Sequence, residues 1–386
     1  MPLTRRTFVR TLGAGAAGVL TAPYLPRFDA ESALWASAFQ DRAGVRPMLL
    51  HNNENPLGPG AKVLEAVRGF LRDGAPAGRY PHAMRPKLRE AIAASYGIAS
   101  SSVLIGCGST QILRTATHVF TSRDRALVSG APAYEECAGY ASLVGTPVKT
   151  IALDAALRDN LEALAAASKG AGLVYINNPN NPTGTVHGGK AVADFIDKVL
   201  SASPEATILV DEAYFDYVTD PSYETLVPVA LKNPRVIVAR TFSKAHGMAG
   251  LRVGYAIATP ETIKRMDAWQ YDNTMNCLGM TAAMASLADP DRIRKERDRN
   301  TEARRYTTEW FQRAGFKASD SQTNFIFVNL AQPLQRFRDG CRERGVLVGR
   351  PFPPLTTYAR ISISTIEDMR RATQVFGEVL KVRAAA

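Results

Sequence analysis

Residues 241–255 read TFSKAHGMAGLRVGY, with one lysine and one arginine among small and apolar residues. Lys244 follows Ser243 directly and precedes Arg252 in a Ser-Lys-x₇-Arg spacing. A lysine that loses its solvation stays neutral, and a neutral amine is a nucleophile. A lone lysine is usually a solvated surface charge, but this strict spacing favours a nucleophilic Lys244 beside a cationic Arg252.

Short β-branched runs alternate with helical patterns around this segment, from about residue 100 to residue 260. The predicted strands are Val103–Gly106, Ala126–Ser129, Val148–Leu153, Leu173–Ile176, Thr207–Val210, Val236–Ala239 and Val253–Ala258. Helical patterns fill the gaps, for example at Thr110–Phe120 and Gly189–Ser201. Such alternation predicts an α/β fold with a mainly parallel, seven-stranded sheet and helices on both faces.

The pattern changes after about residue 280, where a smaller α+β domain is predicted. Its expected elements are a long charged helix (Asp291–Ala314), strands at Thr323–Asn329, near Val346 and at Ile361–Ser364, and helices near Leu334–Arg344 and from Glu367. The predicted divisions are an N-terminal signal (1–38), an N-terminal arm (39–75), a large domain (76–288) and a small C-terminal domain (289–386).

Three further motifs follow predicted strands, where sheets of this kind bind ligands. Gly106-Cys107-Gly108-Ser109-Thr110 joins a strand to a helix, so its backbone N–H groups can face a phosphate. The run NNPNNPTG at 177–184 predicts a rigid, hydrogen-bonding loop rather than a simple turn. In Asp211-Glu212-Ala213-Tyr214, a strand-end carboxylate can keep a ring nitrogen protonated, although a helix-capping or surface acid is the alternative.

Composition excludes several protein classes. The chain has 386 residues, 46% hydrophobic and 22% charged, which excludes a disordered, collagen-like or disulfide-dense chain. No apolar run of about 18 residues interrupts the body, so no membrane span is expected there. The net charge of +11 suits anionic substrates or cofactors, and no nucleic-acid-binding motif is present. Four widely spaced cysteines predict no metal site and leave disulfides open.

The N-terminus has the features of an export address. Arg5 and Arg6 precede a mild Ala- and Gly-rich apolar stretch from Thr11 to Leu25, which resembles a twin-arginine signal. A small-residue site at Ala36-Ser37-Ala38 predicts cleavage before Phe39. We expect a periplasmic or otherwise exported protein; the alternatives are a basic N-terminus without export function, and thus a cytoplasmic protein, or an uncleaved anchor.

Taken in order, these motifs resemble the fold-type-I aminotransferases of class I/II, which use pyridoxal 5′-phosphate (PLP). Asn53-Glu54-Asn55-Pro56-Leu57-Gly58-Pro59 and Arg79-Tyr80-Pro81 resemble signatures of the histidinol-phosphate aminotransferase branch. The resemblance covers nearly the whole chain after residue 48. It implies transamination between an L-amino acid, or a histidinol-phosphate-like amine, and a 2-oxo acid.

The resemblance also implies residue roles. Lys244 forms the Schiff base with PLP and moves the substrate α-proton, while Asp211 pairs with the pyridinium nitrogen. Tyr214 and Asn181 hydrogen-bond the ring oxygen, and Tyr134 stacks on the ring. The residues implied to hold the cofactor phosphate are Gly108, Ser109, Thr110, Ser243, Arg252 and, from the neighbouring subunit of a homodimer, Tyr80. Those implied to bind substrate are Arg360, Asn324, Arg350 and Asn55.

The chain departs from the family pattern at several positions. Thr110-Gln111 stand where an acid is usual, His246 replaces an aromatic residue, and Ser364 stands where glycine is common. Arg350 lies near the position that binds the substrate phosphate in the histidinol-phosphate branch, but Gly349 and the following prolines alter the spacing. We therefore favour an amino acid donor of unknown side chain over histidinol phosphate.

Two other functions share these motifs. A lyase or decarboxylase would bind PLP through the same residues, although the 177–184 loop and Arg360 favour transamination. A PLP-binding regulator would carry a DNA-binding module ahead of the fold, whereas an export-like segment and a short arm stand there.

Overall fold

The computed structural model describes residues 35–40, 44, 46–72, 75–271 and 273–382. The strands are β1 (Met48–Leu50), β2 (Val103–Gly106), β3 (Leu127–Ala131), β4 (Val148–Ala152), β5 (Leu173–Asn177), β6 (Thr207–Asp211), β7 (Val236–Thr241), β8 (Gly254–Ile257), β9 (Lys317–Ala318), β10 (Phe325–Asn329), β11 (Val346–Val348) and β12 (Tyr358–Ser362).

Residues 35–40 form a short helical segment, and the other α-helices follow it. They are α1 (Ala61–Arg72), α2 (Met84–Tyr96), α3 (Gly108–Phe120), α4 (Glu136–Leu143), α5 (Leu161–Ala167), α6 (Gly189–Ala202), α7 (Val227–Ala230), α8 (Pro260–Asp267), α9 (Cys277–Leu287), α10 (Pro290–Arg313), α11 (Leu334–Glu343) and α12 (Ile366–Leu380). None of the helices in the described residues is both long enough and apolar enough for a membrane span.

The large domain is built on the predicted seven-stranded sheet, in the order β2-β8-β7-β6-β5-β3-β4. β8 runs antiparallel to both its neighbours, and the other neighbouring strands pair in parallel. Every residue of β5 and β6 is buried, as expected for parallel strands covered by helices on both faces. The prediction of a mainly parallel α/β sheet is confirmed.

The two faces of this sheet have separate cores because side chains alternate along each strand. On β5, Val174 and Ile176 pack into one core, and Leu173 and Tyr175 pack into the other. The strands extend one or two residues past the predicted ends at β5, β6 and β7. The added residues are polar, so apolar runs did not include them, yet Asn177 and Asp211 pair within the parallel ladder.

The small domain packs helices α10, α11 and α12 against an antiparallel sheet of order β12-β10-β9. β1, in the segment assigned from sequence to an N-terminal arm, pairs in parallel with β11 of this domain, Met48 opposite Val346 and Leu50 opposite Val348. Its three residues are too few for a recognisable alternation. The pairing directs residues 51–55 into the cleft between the domains.

A buried ion pair ties β7 to the segment after β6. Arg240 and Glu212 have side chains that are 2% and 0% exposed. The Arg240 Nη2 donates to Glu212 Oε2 at 2.6 Å, and the Leu226 N–H donates to Glu212 Oε1 at 2.7 Å. A buried charge pair is tolerated only when its remaining polar atoms are also bonded. This network fixes the chain immediately beside the strand ends that carry Asp211 and Lys244.

Candidate active site

A cavity of about 1610 Å³ lies between the two domains, at the carboxyl ends of β5, β6 and β7. Its lining includes Tyr134, Asn181, Asp211, Lys244, Arg252 and Arg360. These residues are far apart in the sequence, and the parallel topology together with the β12 strand brings them to one place.

Lys244 follows β7, and its ammonium group points into the cavity. Nζ donates to the backbone oxygens of Asn52 at 3.4 Å and Asn53 at 3.3 Å. Desolvation, aided by the nearby Arg360 guanidinium, lowers the pKa of Lys244 to about 8. At pH 7 about a tenth of this amine is therefore neutral, and that fraction rises as the pH approaches 8; a neutral amine is what a nucleophile or base requires.

Asp211 ends β6 and is 1% exposed. Its carboxylate accepts hydrogen bonds from the Tyr175 hydroxyl and the Ala213 N–H, both at 3.1 Å. Desolvation raises the pKa of Asp211 to about 6 despite these two bonds. A carboxylate held this way is stabilised by a cationic partner in the cavity.

Arg252, Ser243 and the turn at Gly108 form a group of hydrogen-bond donors where α3 begins, which we call the anion cradle. Arg252 Nη1 donates to Ser243 Oγ at 3.4 Å and to the Ala249 backbone oxygen at 2.8 Å. Gly108 has φ 74°, and a Cβ there would lie 2.4 Å from Arg252 Nη2. Glycine is therefore required for the turn to reach the guanidinium, which leaves the N–H groups of α3 and Arg252 facing the same space.

Asn53 forms hydrogen bonds with several residues of the cleft and is not among the predicted site residues. Its Nδ2 donates to the Tyr214 hydroxyl at 3.1 Å, and its N–H donates to Ser362 Oγ at 2.8 Å. Its backbone oxygen accepts from both Lys244 and Asn324. These bonds hold Tyr214 and Lys244 in a fixed relation, with the Lys244 Nζ 5.6 Å from the centre of the Tyr214 ring.

Arg360, on β12, reaches into the cavity from the small domain and is 9% exposed. Its Nη1 donates to Asn181 Oδ1 at 2.8 Å, and its Nη2 donates to the His51 backbone oxygen at 2.6 Å. The buried Nε has no hydrogen-bond partner in the structure. A planar guanidinium with an unused donor is suited to a carboxylate.

Tyr134 lies on the cavity wall beside the cradle and is 36% exposed. Desolvation raises its pKa to about 12, against a hydrogen bond with Thr110 that lowers it. Its ring therefore remains a neutral, partly exposed aromatic surface, which can stack on a flat ligand.

Not every predicted residue lines the cavity. Asn55 donates to the Ala245 backbone oxygen at 3.0 Å, and Asn324 donates to that of Asn53 at 2.9 Å. Both therefore hold the backbone beside the cavity without lining it. Gly108 shapes the turn without lining the cavity, and Tyr80 is 75% exposed on the surface. Arg350 does line the cavity, where it pairs with Glu135.

The departures noted in the sequence have structural explanations. Gln111 Oε1 accepts the Cys107 N–H at 2.6 Å and so closes the turn before α3. His246 does not line the cavity: its ring packs on Phe242 and its Nδ1 lies 2.7 Å from Ser286 Oγ. Burial lowers the pKa of His246 to about 3, so it is a neutral packing residue. Ser364 Oγ donates to Asp368 at 2.6 Å near the start of α12.

Comparison with known proteins identifies the family. The family model "Aminotransferase class I and II" matches residues 45–376. The chain belongs to this aminotransferase family. It is 33% identical over 374 residues to a histidinol-phosphate aminotransferase of Moorella thermoacetica, covering 93% of this chain and 90% of the relative. It is 34% identical over 334 residues to one of Akkermansia muciniphila, covering 86% and 89%.

A solved structure supports the same conclusion for the aminotransferase fold. The histidinol-phosphate aminotransferase of Sinorhizobium meliloti in complex with pyridoxal 5′-phosphate is 26% identical, with a TM-score of 0.81, covering 93% of this chain and 98% of that one. The prediction of a PLP-dependent aminotransferase of fold type I is confirmed. The lyase or decarboxylase alternative is not favoured, since these relatives carry aminotransferase names.

The residues of the cavity fit PLP. Its phosphate needs an anion cradle, its pyridine nitrogen a carboxylate, and its aldehyde an amine. The cavity offers Arg252 with the α3 turn, the buried Asp211 and the partly neutral Lys244 for these three groups. A Cβ at Gly108 would fill the cradle, which matches a turn kept open for a ligand.

Proposed function

We propose that this aminotransferase passes the amino group of an L-amino acid to a 2-oxo acid, with both substrates binding in turn beside Lys244. The observation that carries the proposal is the convergence of Lys244, Asp211 and Arg360 on one cavity with an anion cradle. The test is to supply the PLP-loaded protein with a panel of L-amino acids and a 2-oxo acid, and to measure the new 2-oxo acid. Release of ammonia or carbon dioxide instead would favour a lyase or decarboxylase.

Ser109, Thr110, Ser243 and Arg252 would hold the PLP phosphate, on the turn that Gly108 opens. Bound PLP supplies a conjugated cationic ring that spreads the charge left when the substrate loses its α-proton. Asp211 would keep the ring nitrogen protonated, since its own buried charge needs a cationic partner. Tyr134 would cover one ring face, and Asn181 and Tyr214 would donate to the ring oxygen.

Lys244 would carry the proton. Its amine is held by two backbone oxygens within the cleft, so it has a defined position without a fixed ion pair. With a pKa of about 8 it can both accept a proton from the substrate α-carbon and return one. Asn53 and Asn324 would act as positioning residues through the backbone oxygen of Asn53, and Asn55 through the backbone oxygen of Ala245, next to Lys244.

Arg360 would bind the α-carboxylate of the substrate. Replacing it with alanine should weaken donor binding by about 2–4 kcal/mol, seen as a higher KM. The reason is that alanine removes the buried guanidinium, and with it the two-pronged hydrogen bonding that a carboxylate accepts. Steady-state kinetics with a saturating 2-oxo acid would measure this change.

The matched control is Arg344→Ala, which removes a surface arginine paired with Glu378. It should leave KM unchanged. An unchanged KM in Arg360→Ala, with PLP still bound, would remove Arg360 from the substrate site.

Histidinol phosphate is a second candidate donor. The relatives from Moorella and Akkermansia are named for it, and Arg350 in the cavity could bind a phosphate. We favour an amino acid, because Arg350 already holds a carboxylate partner and Arg360 offers an unused buried donor.

We also propose a homodimer, on the basis of the family resemblance and of exposed apolar side chains. In the family resemblance Tyr80 reaches the cofactor phosphate of the neighbouring subunit, and Tyr80 is 75% exposed here. Other large apolar side chains are exposed as well, among them Trp269 at 61% and Tyr271 at 82%. Where such side chains form one contiguous patch, they are typical of a subunit contact.

Export through the twin-arginine route is also proposed, with Arg5 and Arg6 as its signal. These residues lie outside the described part of the chain, so the support is the sequence pattern alone. Replacing both arginines with lysine should retain the full-length protein in the cytoplasm, measured by cell fractionation. Continued appearance of the variant outside the cytoplasm would contradict the signal, and the protein would then be assigned to another route.

A further inference from the structure

An ion pair across the cavity links the two domains. Arg350 of the small domain donates from Nη2 to Glu135 Oε2, on the residue before α4 of the large domain. Its Nη1 donates to the Pro351 backbone oxygen at 3.0 Å. Both side chains line the cavity that holds Lys244, and they are 49% and 37% exposed. A ligand in the cavity can therefore reach both charges.

The pair stands next to the proposed α-carboxylate site. The Phe352 ring centre lies 4.3 Å from the Arg350 Cζ and 4.9 Å from the Arg360 Cζ, so both guanidinium groups lie beside the same ring. Glu135 also directly follows Tyr134, the proposed stacking residue. A substrate bound through its α-carboxylate at Arg360 would thus extend its side chain along Phe352 toward the ion pair.

The neighbouring acid, Glu136, does not share this role. Its carboxylate is buried and pairs with Arg114, so the two adjacent acids have separate partners. Glu135 is therefore the carboxylate that competes for Arg350. Its tether gives it a high effective concentration at the guanidinium, which an anion free in solution must overcome.

We propose that Glu135 is a specificity-determining residue that neutralises Arg350 and so disfavours substrates whose side chain ends in a carboxylate or phosphate. Substrates with an uncharged side-chain end avoid both the competition for Arg350 and the repulsion by Glu135. The inference rests on the proposed function, because it takes Arg360 as the α-carboxylate site.

The test compares two ligands of nearly equal shape that differ in distal charge. Succinate and its monoamide, succinamate, are titrated into the PLP-loaded protein by calorimetry. In Glu135→Gln we expect succinate to bind about tenfold more tightly and succinamate to change less than about twofold, since only a distal charge meets Glu135. Glu162→Gln, which removes an exposed carboxylate paired with Lys198, should change neither ligand.

The double variant Glu135→Gln/Arg350→Gln should lose the gain for succinate. If the gain persists there, the distal anion is held by other cavity cations such as Arg338 or Arg342 of α11, and the assignment to Arg350 is wrong. Equal changes for both ligands in Glu135→Gln would mean that the ion pair only joins the domains. An unchanged ratio of succinate to succinamate affinity in Glu135→Gln, or no binding of either ligand, would also overturn the inference.

Transamination is measured separately with the unaltered protein. If it forms no 2-oxo acid from any donor while the ratio of succinate to succinamate affinity still shifts in Glu135→Gln, the proposed function fails, and Glu135 is shown only to discriminate ligands by their distal charge. If 2-oxo acid forms but the ratio of succinate to succinamate affinity does not shift, the proposed function stands and the role of Glu135 is wrong.

Discussion

Replacing Lys244 with alanine should reduce amino-group transfer by at least about 10³-fold, because the variant loses the only amine proposed to bond PLP and move the α-proton. The methyl group of alanine cannot reach the backbone oxygens of Asn52 and Asn53 that now hold Nζ. The Arg252 cradle and Asp211 are untouched, so PLP should still bind without a covalent bond. Single-turnover conversion of a donor measures the rate of amino-group transfer, and the PLP content measured in parallel shows whether the cofactor still binds.

The control for this prediction is Lys198→Ala, which removes a surface lysine paired with Glu162. It should retain full activity and the absorbance of lysine-bound PLP. An active Lys244→Ala variant with unaltered cofactor absorbance would refute the role of the lysine.

Replacing Asp211 with asparagine should lower turnover by about 10²–10³-fold, the usual cost of removing one group that stabilises a developing charge. Asparagine is nearly isosteric and can still accept the Ala213 N–H, so the strand end should keep its shape. The loss should therefore appear in turnover more than in the affinity of a carboxylate ligand for Arg360. Steady-state kinetics at saturating PLP would separate these effects.

The same substitution should stabilise the protein without PLP. Desolvation raises the pKa of Asp211 from 3.8 to about 6, so ionising this carboxyl opposes folding. The penalty is absent below about pH 4, grows between pH 4 and pH 6, and is complete above pH 6, on the order of 3 kcal/mol. Asparagine does not ionise and escapes it.

Urea unfolding of both proteins from pH 4 to pH 8, without PLP, would measure this difference in the free energy of unfolding. We expect the advantage of Asp211→Asn to grow with pH, and PLP to stabilise the wild type more than the variant. A difference that does not vary with pH would show that the buried carboxyl does not carry this cost.

Much of the large domain could be predicted because its strands are continuous apolar runs between helices. All seven strands fall within a few residues of their predicted positions, and Asp211 and Lys244 stand at or just after strand ends, as expected. The rule that ligands bind at the carboxyl ends of parallel strands was sufficient to gather these residues into one site.

Other features depend on contacts between distant parts of the chain, which local patterns do not encode. Asn53 bonds Tyr214 and Ser362, which are 161 and 309 residues away. The Glu135–Arg350 pair joins residues separated by 215 positions. β1 is recognisable only through its pairing with β11. Asn53 belongs to the signature at 53–59, and its φ of 56° is a conformation for which asparagine is enriched, but neither feature indicates its bonds to Tyr214 and Ser362.

Peptide mapping after borohydride reduction tests the central claim most directly. Reduction of the PLP-loaded protein makes the bond between cofactor and amine permanent, and mass spectrometry then locates it. We predict a single modified position, Lys244, and none after substitution of Lys244 by alanine. Modification of a different lysine, or an active protein with Lys244 unmodified, would contradict the account.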